Sequence, residues 1–245
     1  MYIRKDRQDT ELVNSAKDCK AVPPKKKVTL LIKNIGQLIS MAGPAPRLGP
    51  AMNDIGLIEH GGIAVAGDEI VAVGKSEDVE RHSPVAESCT VIDARGAVVT
   101  PGLIDPHTHP VFSMTRENEF EMRIMGKTYM EIAQAGGGIR ASVRDLRATE
   151  KQALIEHTKK RVTRMLRYGV TTIEAKSGYG LSTESELKQL EVIRDLGLQI
   201  AIEMIPTFLG AHEVPDEYRE NPDAYVDLLV EEMIPAVTAA KLAEF

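Results

Sequence analysis

Two of the chain's six histidines, His107 and His109, stand one residue apart in "PGLIDPHTHP", residues 101–110. Side chains at i and i+2 of an extended strand point to the same face. "VVTPGLID" reads as an extended apolar segment, so both imidazoles project together from its C-terminal end. Two imidazoles on one side can share a metal ion, at about 2.0–2.1 Å each if it is zinc. The bare pattern also fits two surface histidines. The flanks favour the ligand pair: Gly102 allows close backbone approach, Asp105 can orient, and Pro106 and Pro110 stiffen the exit. A metal held there would lower the pKa of bound water from 15.7 to about 7, which is the chemistry of assisted hydrolysis.

Further groups of this kind follow at later strand ends. "KSGYG" (176–180) closes the strand "VTTIEAK" (170–176), and "FLGAHEVP" (208–215) closes "LQIAIEMIPTF" (198–208). Tyr179 sits between two glycines, with little local cover for its phenol. His212 follows its strand directly. Arg116 lies in the loop after the histidine pair, where it can reach over a metal or pair with Glu117 or Glu119. Lys176 reads as structural, and His157, in a helix among Lys and Arg, reads as solvated.

The elements that must position these groups alternate. Thr149-x-x-Gln152 and Thr183-x-x-Glu186 read as capping boxes. Apolar stripes at helical spacing follow each, with Gly169 and Gly197 placed to end the helices. Asn221-Pro222 opens another helix. Strand–helix alternation means a parallel α/β sheet, whose ligands bind at the strands' carboxyl ends. Three regions result: a polar, mobile extension (1–26), a β domain (27–98) with a hairpin turn at Gly67-Asp68, and the α/β region (99–245).

Composition narrows the function. Thirty Lys and Arg against 36 Asp and Glu give a net charge of −6, unlike a nucleic-acid binder. No apolar run is long enough to span a membrane, and the N-terminus has no apolar core of a secretory signal. Cys19 and Cys89 form no disulfide framework and no zinc spacing. A cytoplasmic protein is expected.

The stretches "HTHPVFSMTRENEFEMR", "GKTYMEIAQAGGGI", "GVTTIEAKSGYGL" and "PTFLGAHEVP" resemble the metal-dependent amidohydrolases and, among them, the imidazolonepropionase family. The resemblance covers residues 28–245. It implies a (β/α)₈ barrel preceded by a small β-sandwich. It also implies one zinc or iron ion, and hydrolysis of the ring amide of 4-imidazolone-5-propanoate to N-formimidoyl-L-glutamate in histidine degradation. His107 and His109 would be metal ligands. Arg116, Tyr179 and His212 would contact the small anionic substrate, with Tyr129 a weaker candidate. The resemblance leaves room for a homodimer. Residues 101–245 hold three strand–helix units, where such a barrel takes about 250 residues. The chain therefore reads as the N-terminal part of the fold, with catalytic residues expected beyond residue 245 and little activity alone. Two alternatives stay open: another cyclic amidohydrolase or deaminase, or an inactive fragment acting as a folding or interaction module.

Overall fold

Val and Ile alternate through the region after residue 27, and they build a sheet. The computed structural model describes residues 26–245; the polar extension, Lys26 excepted, and Cys19 lie outside them. The described residues divide at residue 101 into two compact units. The first holds β1 (Val28–Ile39), β2 (Leu57–Ala66), β3 (Glu69–Lys75), α1 (Ser76–His82), β4 (Val85–Asp93) and β5 (Val98–Val99). The strands run in the order β3-β2-β1-β4, and β5 also pairs with β1. The β2–β3 hairpin turns at Gly67, whose φ is +67°. Val28, Leu31, Ala64 and Val79 are buried in one cluster and Ile35, Leu38 and Ile63 in another. The described residues of this unit form one five-stranded sheet, one α-helix and a short 3₁₀ turn at Gly49–Asn53.

The second unit begins where the expected single strand "VVTPGLID" breaks. β5 belongs to the first sheet, and β6 (Leu103–Thr108) starts a new one. Pro101 lacks an amide donor for a ladder. Gly102 lies so close to the next strand that a Cβ there would come within 2.0 Å of Thr171 Oγ1. Then follow α2 (Glu117–Ile124), α3 (Tyr129–Gln134), α4 (Ile139–Ala148), α5 (Lys151–Arg167), β7 (Val170–Lys176), α6 (Thr183–Gly197), β8 (Glu203–Thr207), α7 (Pro222–Leu228) and α8 (Ile234–Ala240). The three strands are parallel, in the order β6-β7-β8. Central β7 buries Ile173 and Ala175 completely. Leu154 and Val162 of α5 and Leu190, Ile193 and Leu196 of α6 share that core. α7 and α8 are joined through a wider helical turn at Leu229–Met233, just before Pro235, which cannot supply a helix amide donor. The chain then returns to the sheet: Glu244 N donates to Pro206 O at 2.9 Å and Phe208 N to Phe245 O at 2.8 Å.

Several expectations need correction. The third strand is shorter than 198–208, because residues 198–202 bend before the ladder begins. Neither capping box forms. Thr149 closes α4 instead, its hydroxyl donating to Asp145 O at 2.6 Å, and α5 has Glu150 at its N-cap without a side-chain bond. At α6 the cap is Ser182, whose hydroxyl accepts from Ser185 N, and Glu186 turns elsewhere. His157 is not fully solvated: its Nδ1 is buried without a hydrogen-bond partner among the described residues. Asn221 caps α7 as expected, accepting from Ala224 N at 3.3 Å, with Pro222 first in the helix.

Candidate active site

The carboxyl ends of β6, β7 and β8 converge on one cluster of rings. His107 is in the last turn of pleat of β6, and His109 lies one residue beyond the strand. Between them Thr108 points the other way and donates to Glu174 O on β7 at 2.7 Å, which pins the strand end. The two ring centroids are 5.7 Å apart at an interplanar angle of 62°. Asp105 Oδ1 accepts from His107 N at 3.3 Å.

His109 Nδ1 lies 2.8 Å from Ser177 O. A carbonyl oxygen only accepts, so Nδ1 carries the proton and Nε2 keeps its lone pair. His212 repeats the arrangement, with Nδ1 2.9 Å from Gly178 O. The His109 and His212 rings stack at 4.6 Å, 10° from parallel. Tyr179 packs 5.1 Å from His109 and 5.5 Å from His212. Burial, and then the nearby His212, hold the His109 pKa down to about 4. Burial pushes the Tyr179 phenol up, against an opposing pull from the Arg116 charge. Arg116 thus lies within electrostatic reach of the ring cluster. Its one ion pair among the described residues is a long one, 3.7 Å to Glu119, and its side chain is 45% exposed.

Tyr129 stands apart from this cluster. It begins α3, is 64% exposed, and its hydroxyl lies beside Gly138. Lys176 pairs with Glu174, whose carboxylate also accepts from Thr207 Oγ1 at 2.8 Å. That network ties the ends of β7 and β8 together and holds the Glu174 carboxyl below its usual range.

Sequence reasoning missed the residues that hold the loops. Arg161 on α5 donates to Pro110 O (3.3 Å), Phe112 O (2.7 Å) and Ser113 O (3.0 Å), and its guanidinium lies 3.4 Å from the centre of the Phe112 ring. Arg147 on α4 donates to Gly180 O and Leu181 O at 2.7 and 2.8 Å. Tyr225 on α7 is buried and donates to Gly210 O at 2.6 Å. These donors sit on helices and serve backbone carbonyls, and no spacing in the sequence marks such a pairing.

The depressed His109 pKa has a consequence for the metal-free chain. Between pH 6.5, the ordinary value, and about 4, the unfolded state binds a proton that the folded state refuses, so stability falls as pH falls. The ring is partly open to water, so the expected loss is about 1–2 kcal/mol, roughly half the full linkage value. Urea midpoints at pH 7 and pH 4.5 measure it, and His109→Gln should remove this part of the pH dependence.

In fold, the chain is similar to E. coli guanine deaminase, with a TM-score of 0.51 at 15% identity over 82% of this chain and 41% of that one. The likeness shows the fold alone, a mixed α/β arrangement with a partial parallel sheet whose strand ends carry titratable groups. No family model matches the chain. Curated sequences do. It is 48% identical over 219 residues to the imidazolonepropionase of Alkaliphilus metalliredigens, covering 89% of this chain and 52% of that protein. With the imidazolonepropionase of Geobacillus kaustophilus the identity is 48%, over 88% and 52%. With that of Symbiobacterium thermophilum it is 49%, over 86% and 50%. The chain is a homologue of the imidazolonepropionases, and it spans about half the length of the curated relatives it matches.

Proposed function

We propose that the chain carries the metal-pair and substrate-contact part of an imidazolonepropionase, built on the first three strand–helix units of a (β/α)₈ barrel. The reaction is hydrolysis of the ring amide of 4-imidazolone-5-propanoate to N-formimidoyl-L-glutamate. The observation that carries this reading is the joint placement of His109, Tyr179 and His212 at adjacent strand ends, in a homologue of enzymes with that name.

The donor chemistry fits a zinc or iron ion in part. His109 is neutral near pH 7 and offers Nε2, the form a metal ligand needs, and the His107 ring lies beside it. Zinc sites ordinarily use three or four protein ligands. Among the described residues no group of three His, Cys, Asp or Glu side chains is gathered to hold a metal. His107 and His109 would therefore be two of its ligands. When bound, the ion supplies a polarised carbonyl and a water acidified toward neutrality.

The chain's own residues do the rest. His212 presents Nε2 to a ring group of the substrate, and Tyr179 offers its phenol hydrogen, kept on the oxygen by burial. Arg116 binds the propanoate through charge-assisted hydrogen bonds. Tyr129 stays a weaker substrate contact. We further propose that the β unit is one part of a β-sandwich, that the protein is cytoplasmic, and that its ligand is a small anion rather than nucleic acid or membrane. No helix among the described residues is long and apolar enough to cross a membrane.

Equilibrium dialysis against zinc tests the first step. With two ligands in place of the usual three or four, the chain should take up zinc only weakly, and His107→Ala and His109→Ala should each abolish that uptake. Turnover of the imidazolone by the isolated chain should stay below the typical enzyme range of about 1–10³ s⁻¹. Zinc uptake that survives both substitutions would overturn the ligand assignment. Turnover within that range would show that the chain needs no further groups.

A further inference from the structure

The helix that follows the Tyr179 loop sends two buried polar side chains back into it. Glu186 and Gln189 are both fully buried. Glu186 Oε2 accepts from Gly178 N at 3.1 Å, and Oε1 accepts from Gly180 N and Leu181 N, each at 2.8 Å. Gln189 Oε1 accepts from Tyr179 N at 3.2 Å, while its Nε2 donates to Val111 O at 2.9 Å, just past the histidine pair. A buried carboxylate is tolerated only when such donors surround it.

The peptide units between these bonds give them meaning. The amide of Gly178 and the carbonyl of Ser177 belong to one peptide group. Its N–H goes to Glu186 and its oxygen takes the Nδ1 proton of His109. The next peptide group sends the Tyr179 N–H to Gln189, and its oxygen, on Gly178, takes the Nδ1 proton of His212. Each imidazole is thus joined to one α6 side chain through one intervening peptide. Hydrogen bonds in series polarise one another, so an acceptor on the N–H side makes the carbonyl a better partner for the ring. Orienting partners of this kind fix tautomer and ring direction.

We propose that Glu186 and Gln189 are positioning residues, Glu186 for His109 and Gln189 for His212, each acting through a single peptide group to hold the ring with its proton on Nδ1 and Nε2 free. The proposal rests on reading His109 and His212 as site residues. It does not depend on which amide is hydrolysed.

The test is ¹⁵N NMR of the ring nitrogens in the full, metal-free chain at pH 8, where the neutral tautomers are read directly. The unmodified chain should show both rings as single Nδ1–H tautomers. Glu186→Gln keeps the shape but turns an NH₂ or a weaker acceptor toward the Gly178 amide. It should cost His109 its single tautomer, returning it toward the Nε2–H form that a free histidine side chain favours, and leave His212 unchanged. Gln189→Leu should do the reverse. Gln189→Glu keeps the acceptor for Tyr179 N and should leave His212 in its Nδ1–H form. This crossed pattern separates positioning from a merely structural role, which would loosen both rings together. Both rings unchanged in the two variants, or both disturbed alike in either, would overturn the proposal. If Glu186→Gln does not fold, the Gln189→Leu and Gln189→Glu pair decides, because the same selectivity for His212 is required. Zinc uptake and turnover are not read here, so failure of the imidazolone reading and failure of this one are distinguishable.

Discussion

Gly178→Ala is expected to destabilise the second unit by ~3 kcal/mol, the sum of two costs. Gly178 has a φ of +103°, a region that costs a residue with a side chain about 1–3 kcal/mol. The added methyl would also sit 2.8 Å from both His212 Cβ and Leu209 O, and overpacking of that kind typically costs about 1–3 kcal/mol. Neither neighbour can retreat freely, since the Leu209 amide donates to Ser177 Oγ at 2.8 Å and His212 is stacked on His109. The midpoint of urea unfolding should fall with little change in slope. Gly197→Ala is the internal control. It ends α6 with no atom within 4 Å of the added carbon and no positive φ, so it should be neutral or stabilising by up to about 1 kcal/mol. Equal midpoints for the two variants would mean that the Gly178 loop is pliable, and that the ring cluster is not held by it.

Arg116→Ala should weaken binding of a propanoate ligand ten- to a hundredfold or more. Among the described residues Arg116 is committed only to the long contact with Glu119, yet its charge is felt at Tyr179, so it can turn to an anion beside the ring cluster. The net charge of −6 otherwise repels such a ligand. Losing a charge-assisted hydrogen bond costs about 1.5–3 kcal/mol, and 1.4 kcal/mol is a factor of about ten. The measurement is titration of the chain, in buffer containing zinc, with imidazole-4-propanoate and with its neutral propanamide. The unmodified chain should prefer the acid strongly and the alanine variant hardly at all. Arg116→Lys should restore only part of the preference, because an ammonium lacks the two-pronged geometry. Equal losses for acid and amide would mean that Arg116 holds its loop, and that the carboxylate has another partner.

The parts of the fold written in local signals were legible. β7 matches "VTTIEAK" residue for residue, because a short β-branched run ends at a helix-stopping glycine on one side and a glycine loop on the other. The cap at Asn221 and Pro222 was legible for the same reason. α2 was not, since it buries none of its residues and so shows no apolar stripe. The two false capping boxes have different causes: Thr149 turns back to close α4 while Gln152 donates to Glu156 along α5, whereas Glu186 turns out of its helix. A Ser/Thr-x-x-Glu/Gln pattern records that a carboxylate or amide lies near a helix start, but not whether it turns back along the helix or across to a neighbouring loop. At Glu186 it turns across. Within the site, the His107–His109 pairing was readable from a spacing of two. The stacking of His109 on His212 was not, because the order of strands brings those residues together.

Beside the acceptors Glu186 and Gln189, a set of side-chain donors fastens the loops around the rings and the segment leading to them by bonding to main-chain oxygens: Arg161 to residues 110, 112 and 113, Arg147 to 180 and 181, Tyr225 to 210, Lys188 to 146, 147 and 149. Every residue type supplies the same oxygen. Inheritance should therefore press unevenly on the two halves of each bond. A lineage can exchange Phe112, Ser113 or Leu181 for other residues and keep the tether, whereas a change at Arg161, Arg147 or Lys188 removes two or three tethers at once. Variation among descendants should collect in the stretches that are held and be scarce on the helices that hold them, so that the loops nearest the chemistry are free to explore new side chains without coming loose.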